Sequence, residues 1–241
     1  MAIELPGEVA QFLQLIGINW PQINEDKVRE FGTHVRQFAD NLQDAHQQAH
    51  ATIQQLGQSY QGAGYEALLA KWSGTSTKHL TELVDACHAV ADALGAAADV
   101  IVGLKVEAIA ELVVMAASFV ADQAAAVATF GIAEAAEGLI VEGAEKLVEF
   151  LKQQVIQHIT GAVIGAAVGP LMEKVAAAVK GLAFEAVSAA LGQPASGGVG
   201  EGFRIEPEAV RGHAQIMRQH AETVRGHAQT FAAAAGGMSF T

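Results

Sequence analysis

Apolar and small residues step along the first hundred positions by threes and fours, with polar residues between them. Before a glycine-broken stretch the line runs Val28, Phe31, Val35, Phe38, Leu42, Ala45, Ala49, Ile53 and Leu56. Beyond it the line resumes at Leu69, Trp72, Leu80, Leu83, Cys87, Val90, Leu94, Ala97, Ile101 and Leu104. That spacing is the seam of two helices packed lengthwise, each about 45 Å long or more at 1.5 Å per residue. The stretch Y-Q-G-A-G from Tyr60 to Gly64 separates them, and its glycines give the backbone freedom that a reversal needs. The expected fold is all-α: a long antiparallel helical hairpin extended by further helices into an elongated bundle.

Asn24, Glu25 and Asp26 read as the cap and acidic first turn of the first long helix. A short leading helix and a Trp20-Pro21 turn precede it, so residues 1–104 form the hairpin part. Residues 105–191 are Ala/Val-rich helices with breaks expected near Gly131 and at Gly169-Pro170. The run G-Q-P-A-S-G-G-V-G-E-G, 192–202, has the composition of a flexible linker. Residues 203–241 hold a last helix and a tail expected to be mobile.

That last helix repeats every seven residues, with R-G-H-A-Q-I-M, R-Q-H-A-E-T-V and R-G-H-A-Q-T-F starting at Arg211, Arg218 and Arg225. Its seam is read as Val210, Met217, Val224 and Phe231 with Ala214, Ala221 and Ala228 between them. The arginines flank one edge and His213, His220 and His227 the other. A lone helix cannot bury such a seam, so it docks on the hairpin of its own chain or on another chain. Three histidines in register suggest docking that senses pH near the ordinary imidazole value of about 6.5. Successive ones lie about 10.5 Å apart by helical rise, too far to share a metal ion.

Composition narrows the function. A formal charge of −12 argues against a nucleic-acid binder, which needs a basic stripe to neutralise phosphate. Cys87 stands alone, so no internal disulfide forms, and its seam position suits a small hydrophobe. Glu4 and Glu8 stand where a signal peptide would be basic, so no cleavable signal is expected. His46 and His50 share a helix face without a third ligand, and Asp85-Ala-Cys-His88 lacks the second copy that a di-iron bundle uses. No zinc, phosphate-loop or protease motif is present. No metal, cofactor or catalytic residue is assigned, and an enzyme is not expected. Membrane contact through residues 105–191 is the rival reading. Gly161, Gly165 and Gly169 would let another helix approach closely, but the apolar core there, about fourteen residues, is shorter than the roughly twenty of a spanning helix.

A helical hairpin with Tyr60-Gln61-Gly62 at the elbow, then Glu66-Ala67 and Trp72, resembles the WXG (ESAT-like) proteins exported by type VII, or ESX, secretion. Tyr60 takes the place of the family's tryptophan, and the literal W-x-G is Trp72-Ser73-Gly74. The opening L-P-G-E-V-A-Q-F-L…G-I-N-W-P-Q-I-N-E-D and the stretch from Leu104 to Gly131 resemble the longer WXG-like domains heading actinobacterial polymorphic toxins. One of these is the N-terminal domain of the mycobacterial outer-membrane channel protein. The segment F-R-I-E-P-E-A-V-R resembles small ESX-associated secreted proteins. A departure is that the tyrosine form of the export signal is missing past the hairpin, since Tyr60 and Tyr65 are the only tyrosines.

The resemblance implies a type VII secretion substrate, or the targeting and pairing module of one, working by helix–helix recognition. It is secreted by a signal-peptide-independent route, or cytoplasmic before export. Its partners would be a helical protein or a second copy in a dimer, and the secretion machinery. Tyr60, Gly62, Gly64, Glu66, Trp72 and Gly74 would form the export elbow. Phe31, Phe38, Leu42, Leu80, Leu83, Val90 and Leu94, with Val210, Met217, Val224 and Phe231, would form the pairing seam. Two alternatives stay open: a membrane-active or pore-associated helical protein, and a cytosolic chaperone-like partner of a secreted toxin.

Overall fold

In a computed structural model, residues 2–73, 78–126, 133–163 and 204–240 are described. The chain is an all-α bundle. Its elements are α1 (Gly7–Leu15), α2 (Glu25–Ser59), the two-residue strand β1 (Tyr60–Gln61), α3 (Ala63–Trp72), α4 (Lys78–Ala126), α5 (Ala133–Val163), strand β2 (Arg204–Ile205) and α6 (Pro207–Gly237). The break expected near Gly131, the glycine run from Gly165, the break at Gly169-Pro170 and the 192–202 linker lie outside the described residues.

The chain divides into two compact units, and α2 and α4 each contribute to both. The first comprises Met1–Phe31, Ala93–Ile164 and Met238–Thr241. Its α1 is short and offers a single apolar ridge, Val9, Phe12 and Leu13. That ridge is buried against Leu112, Ala116 and Phe119 of α4 and Ala144 and Val148 of α5. Phe12 meets Phe119 with ring centroids 5.4 Å apart at 57°, a tilted geometry that suits the aromatic quadrupoles. Trp20, before the hairpin, packs on the same cluster.

The start of α2 fulfils the cap reading and adds to it. The Lys27 backbone N–H donates to Asn24 Oδ1 at 3.1 Å. Glu25, one of the first-turn acids, is fully buried. Its Oε2 accepts from Lys105 Nζ at 2.6 Å, and its Oε1 accepts from the Ile3 backbone N–H. Lys105 also donates to the Ile23 carbonyl. Two charges out of water require this degree of satisfaction, since neither keeps a hydration shell. The pair ties the N-terminal segment, the entry to α2 and the middle of α4 together. Burial raises the Glu25 carboxyl, but the Lys105 hydrogen bond, backbone donors and Coulomb attraction outweigh it, leaving it below the usual carboxylate range. Nearby, Arg29 reaches Asp99 of α4 at 2.7 Å.

The second unit comprises Gly32–Asp92 and Gly165–Gly237. Here α2 and α4 run antiparallel. Arg36 pairs with Asp92 at 2.5 Å and Asp40 with His88 at 3.4 Å, while Ala39, Leu42 and Val84 are buried between the helices. The deepest positions of α4 in this unit are Val84 and Ala91; Leu83 and Val90, one residue earlier, are half-buried. Small side chains at the contact line let the helix backbones approach, and the leucines close the flanks.

Removing one member of the buried pair leaves the other charged without a partner. Lys105→Met is therefore expected to cost about 3–5 kcal/mol in denaturant unfolding, with Glu25→Leu/Lys105→Met recovering most of the loss. The Glu25 contribution is complete at neutral pH and disappears as pH falls below about 4.3, because the folded-state carboxyl is the stronger acid. Unfolding midpoints across that range, for the parent and for the double variant, check the assignment.

Candidate elbow and helix-pairing site

The elbow begins where α2 ends. Tyr60 and Gln61 leave the helix as β1, and Gly62 turns the chain at φ +123°, a region that L side chains rarely adopt. The Gly62 carbonyl then accepts from the backbone N–H groups of Tyr65 at 3.0 Å and Glu66 at 3.2 Å, starting α3. Gly64 serves a different need: a Cβ there would run into the Tyr60 hydroxyl. Tyr60 and Tyr65 meet edge to face at 6.2 Å, and the Tyr65 hydroxyl donates to the Ile53 carbonyl at 3.1 Å. Glu66 points to solvent.

Through these contacts α3 folds back along the last turns of α2. Trp72, at its end, stacks on His46 with centroids 5.8 Å apart and planes 13° from parallel. Its indole N–H donates to His50 Nδ1 at 3.3 Å, which leaves His50 Nε2 facing the Gln54 side-chain amide at 3.0 Å. The pair His46 and His50, candidate metal ligands by spacing, is thus occupied with tryptophan. Among the described residues no cluster of three or more His, Cys, Asp or Glu could hold a metal. Burial, with the neighbouring His50, holds the His46 imidazole below its ordinary value. Gly74, the last residue of the literal W-x-G, lies outside the described residues.

The seam is completed within the chain. The last helix, α6, docks on the second unit: Val224 packs on the Ala39–Leu42–Val84 cluster together with Phe38, Leu80, Leu83 and Cys87. Phe231 stacks on Phe38 at 4.8 Å and 19°. Burial also pushes the Cys87 thiol up. Ahead of α6, β2 pairs antiparallel with β1, Ile205 opposite Tyr60 and Arg204 opposite Gln61, and the Glu206 N–H donates to the Ser59 carbonyl at 2.8 Å. Within the first unit, Phe240 meets Phe31 edge-on at 5.9 Å, and Leu94 is buried.

The repeat of α6 is turned from the expected register. Val210, Met217, Val224 and Phe231 are half-buried, as is each of His213, His220 and His227, whereas Ala214, Ala221 and Ala228 are exposed. The histidines, not the alanines, alternate with the large apolar residues, because an imidazole covers more of α2 than a methyl group does. Thr52 of α2 fixes one of them. Its hydroxyl donates to the Gln48 carbonyl at 3.0 Å, so its oxygen is free to accept from His220 Nε2 at 3.1 Å. Among the described residues His213 Nδ1 is buried without a hydrogen-bond partner. Sequence reasoning missed Thr52, Phe240 and the β1–β2 bridge. The one available signal was the polar Thr52 beside Ile53 on an otherwise apolar line.

The elbow, the antiparallel arms and the leading helix lie inside a stretch that matches a family profile, the WXG100 like domain, over residues 2–147. The chain belongs to the WXG100-like family. That family consists of helical, non-enzymatic proteins of type VII secretion that generally pair through their helices. No curated protein and no solved structure matches the chain. The WXG100-like match ends within α5, so β2 and α6, which complete the seam, lie beyond it.

Trp72 is only partly buried, so it holds less than a fully buried core tryptophan would. Trp72→Ala is expected to cost about 2 kcal/mol, roughly half from lost transfer and half from the stack. A His held below its ordinary value in the folded state contributes fully above about pH 6.5, and that contribution is lost as pH falls further. Trp72 fluorescence should therefore shift toward that of exposed indole on acidification, and His46→Gln should flatten the response.

Proposed function

We propose that the chain is a type VII (ESX) secretion substrate, or the targeting and pairing module of one, of the toxin-associated kind found in actinobacteria. It works by helix–helix recognition. The observation that carries this reading is the elbow. Gly62 at positive φ and the Trp72–His46 stack hold a rigid turn between antiparallel arms, inside the region matched by the WXG100 like domain. Tyr60, Gly62, Gly64, Glu66 and Trp72 shape the surface offered to the secretion machinery, and export proceeds without a cleaved signal peptide. No helix of the described residues is long and apolar enough to cross a membrane. The helical resemblance after Phe203 supports reading α6 as an export-associated segment carried on the same chain.

In the native host, the chain is expected in culture filtrate only when the type VII motor ATPase works. Retention in both strains would overturn the reading. Glu66→Lys changes an exposed residue of the elbow; loss of export with an unchanged circular-dichroism spectrum and melting point would support recognition there.

The histidines of α6 give docking an acid sensitivity. An imidazolium needs an acceptor for both ring N–H groups, and His213 Nδ1 has none. Among the described residues none of the three histidines is paired with a carboxylate. The facing helices carry Asp40, Asp44, Glu82 and Asp85, of which Asp40 is held by His88. On acidification, α6 is expected to lose protection from hydrogen exchange before α2 does. The triple variant His213→Gln/His220→Gln/His227→Gln should lose that pH dependence; identical profiles for parent and variant would refute the role.

A further inference from the structure

Two exposed surfaces of the chain complement each other in charge and shape. The first is a groove of about 290 Å³ between α4 and α5, in the first unit. Leu104, Ala108, Leu147 and Leu151 line its floor, with Glu107 and Glu111 on one wall and Phe150 on the other. Phe150 is 56% exposed, and Val114, one turn beyond Glu111, is 66% exposed. The two glutamates have no basic partner among the described residues. The acids of α5 beside them differ, since Glu142 is bound to Lys146 and Glu149 to Lys152. Phe150, Leu151 and Gln154 lie past the stretch matched by the WXG100 like domain, whereas the rest of the lining lies within it.

The second surface is the outer face of α6. With its large residues and histidines turned inward, α6 exposes Ala214, Ala221 and Ala228 flanked by Arg211, Arg218 and Arg225. Arg211 is held by Glu208 at 2.5 Å; Arg218 and Arg225 have no acidic partner among the described residues. A ridge of methyl groups leaves room for a protruding phenylalanine and a valine. The arginines, two turns apart, bring unpaired positive charge to an edge that holds unpaired negative charge.

We propose that the α4–α5 groove of one copy receives the arginine-flanked alanine face of α6 from a second copy. Each chain carries both surfaces, so a two-fold dimer would make the contact twice. Phe150 and Val114 pack over the Ala214–Ala221–Ala228 ridge, and Arg218 and Arg225 reach Glu107 and Glu111. This rests on the reading that the chain acts by helix pairing, and it assigns that pairing a surface other than the α2–α4 seam, which α6 already fills.

The test uses the full chain and its molar mass by sedimentation equilibrium. The parent should dimerise at low ionic strength and dissociate as salt rises, since the charges lie at the rim of the contact. Glu107→Lys/Glu111→Lys and Arg218→Glu/Arg225→Glu should each raise the dissociation constant about ten-fold or more, because each sets like charges against one another. An equimolar mixture of the two variants should dimerise again, since every contact in the mixed pair regains opposite charges. A monomeric parent, variants that associate as the parent does, or a mixture that stays monomeric would overturn the proposal. Export of the parent separates the two claims. Motor-dependent export of a parent that proves monomeric would sink the dimer and leave the secretion reading standing, whereas motor-independent appearance of a parent that dimerises as expected would do the reverse.

Discussion

Two helices of 35 and 49 residues, each with an apolar line along one side, cannot stay in water singly. Lying along one another is the constraint from which the rest follows. Once α2 and α4 are antiparallel, the chain must reverse between Ser59 and Lys78. Gly62 at positive φ and the close passage of Tyr60 past Gly64 meet that demand. The same constraint makes the entry to α2 a critical point, because a long helix begun in the wrong register would misplace its whole seam. Asn24 sets the first turn, and the buried Glu25–Lys105 pair fixes it against α4. An ion pair without solvent gains little net energy. It does penalise a shifted register heavily, since any slip of α2 along α4 would leave both charges unpaired.

A two-helix hairpin still leaves one side of its seam uncovered, and the second unit closes it with α6. The Phe38–Phe231 stack and Val224 in the Ala39–Leu42–Val84 cluster anchor that helix, while β2 secures its start beside the elbow. The chain thereby supplies in cis a helix that a bare hairpin would have to find elsewhere. What it leaves for other molecules is the elbow, the outer face of α6 and the groove between α4 and α5.

Much of this was legible in the residues. The three-and-four spacing marked both arms, Y-Q-G-A-G marked the turn, and Trp72 was placed on the side facing the partner helix. The details that escaped depend on distances that a linear pattern does not encode. Leu83 and Val90 lie on the seam by spacing, yet Val84 and Ala91 are the buried ones, because the angle at which α4 meets α2 favours the smaller side chains. Lys105, one charge among Val102, Leu104 and Val106, gave no hint of its partner, which is 80 residues away in sequence. The link to Ile205 likewise depends on two strands of two residues each, too short to carry any periodicity.

The register of α6 shows most clearly how packing overrides a pattern. Alanine and histidine both recur every seven residues, so spacing alone allows either to face α2. Alanine inward would bring the helices closer but bury little beyond a methyl group. Histidine inward covers more apolar surface and, at His220, adds a hydrogen bond to a hydroxyl whose own proton is already committed to Gln48. The cost is a ring nitrogen such as His213 Nδ1 with nothing to bond. An aliphatic residue there would remove that cost and hold α6 more firmly. With the alanines and arginines turned outward by the same rotation, one choice of register sets both how tightly α6 is held and what it shows to a second molecule.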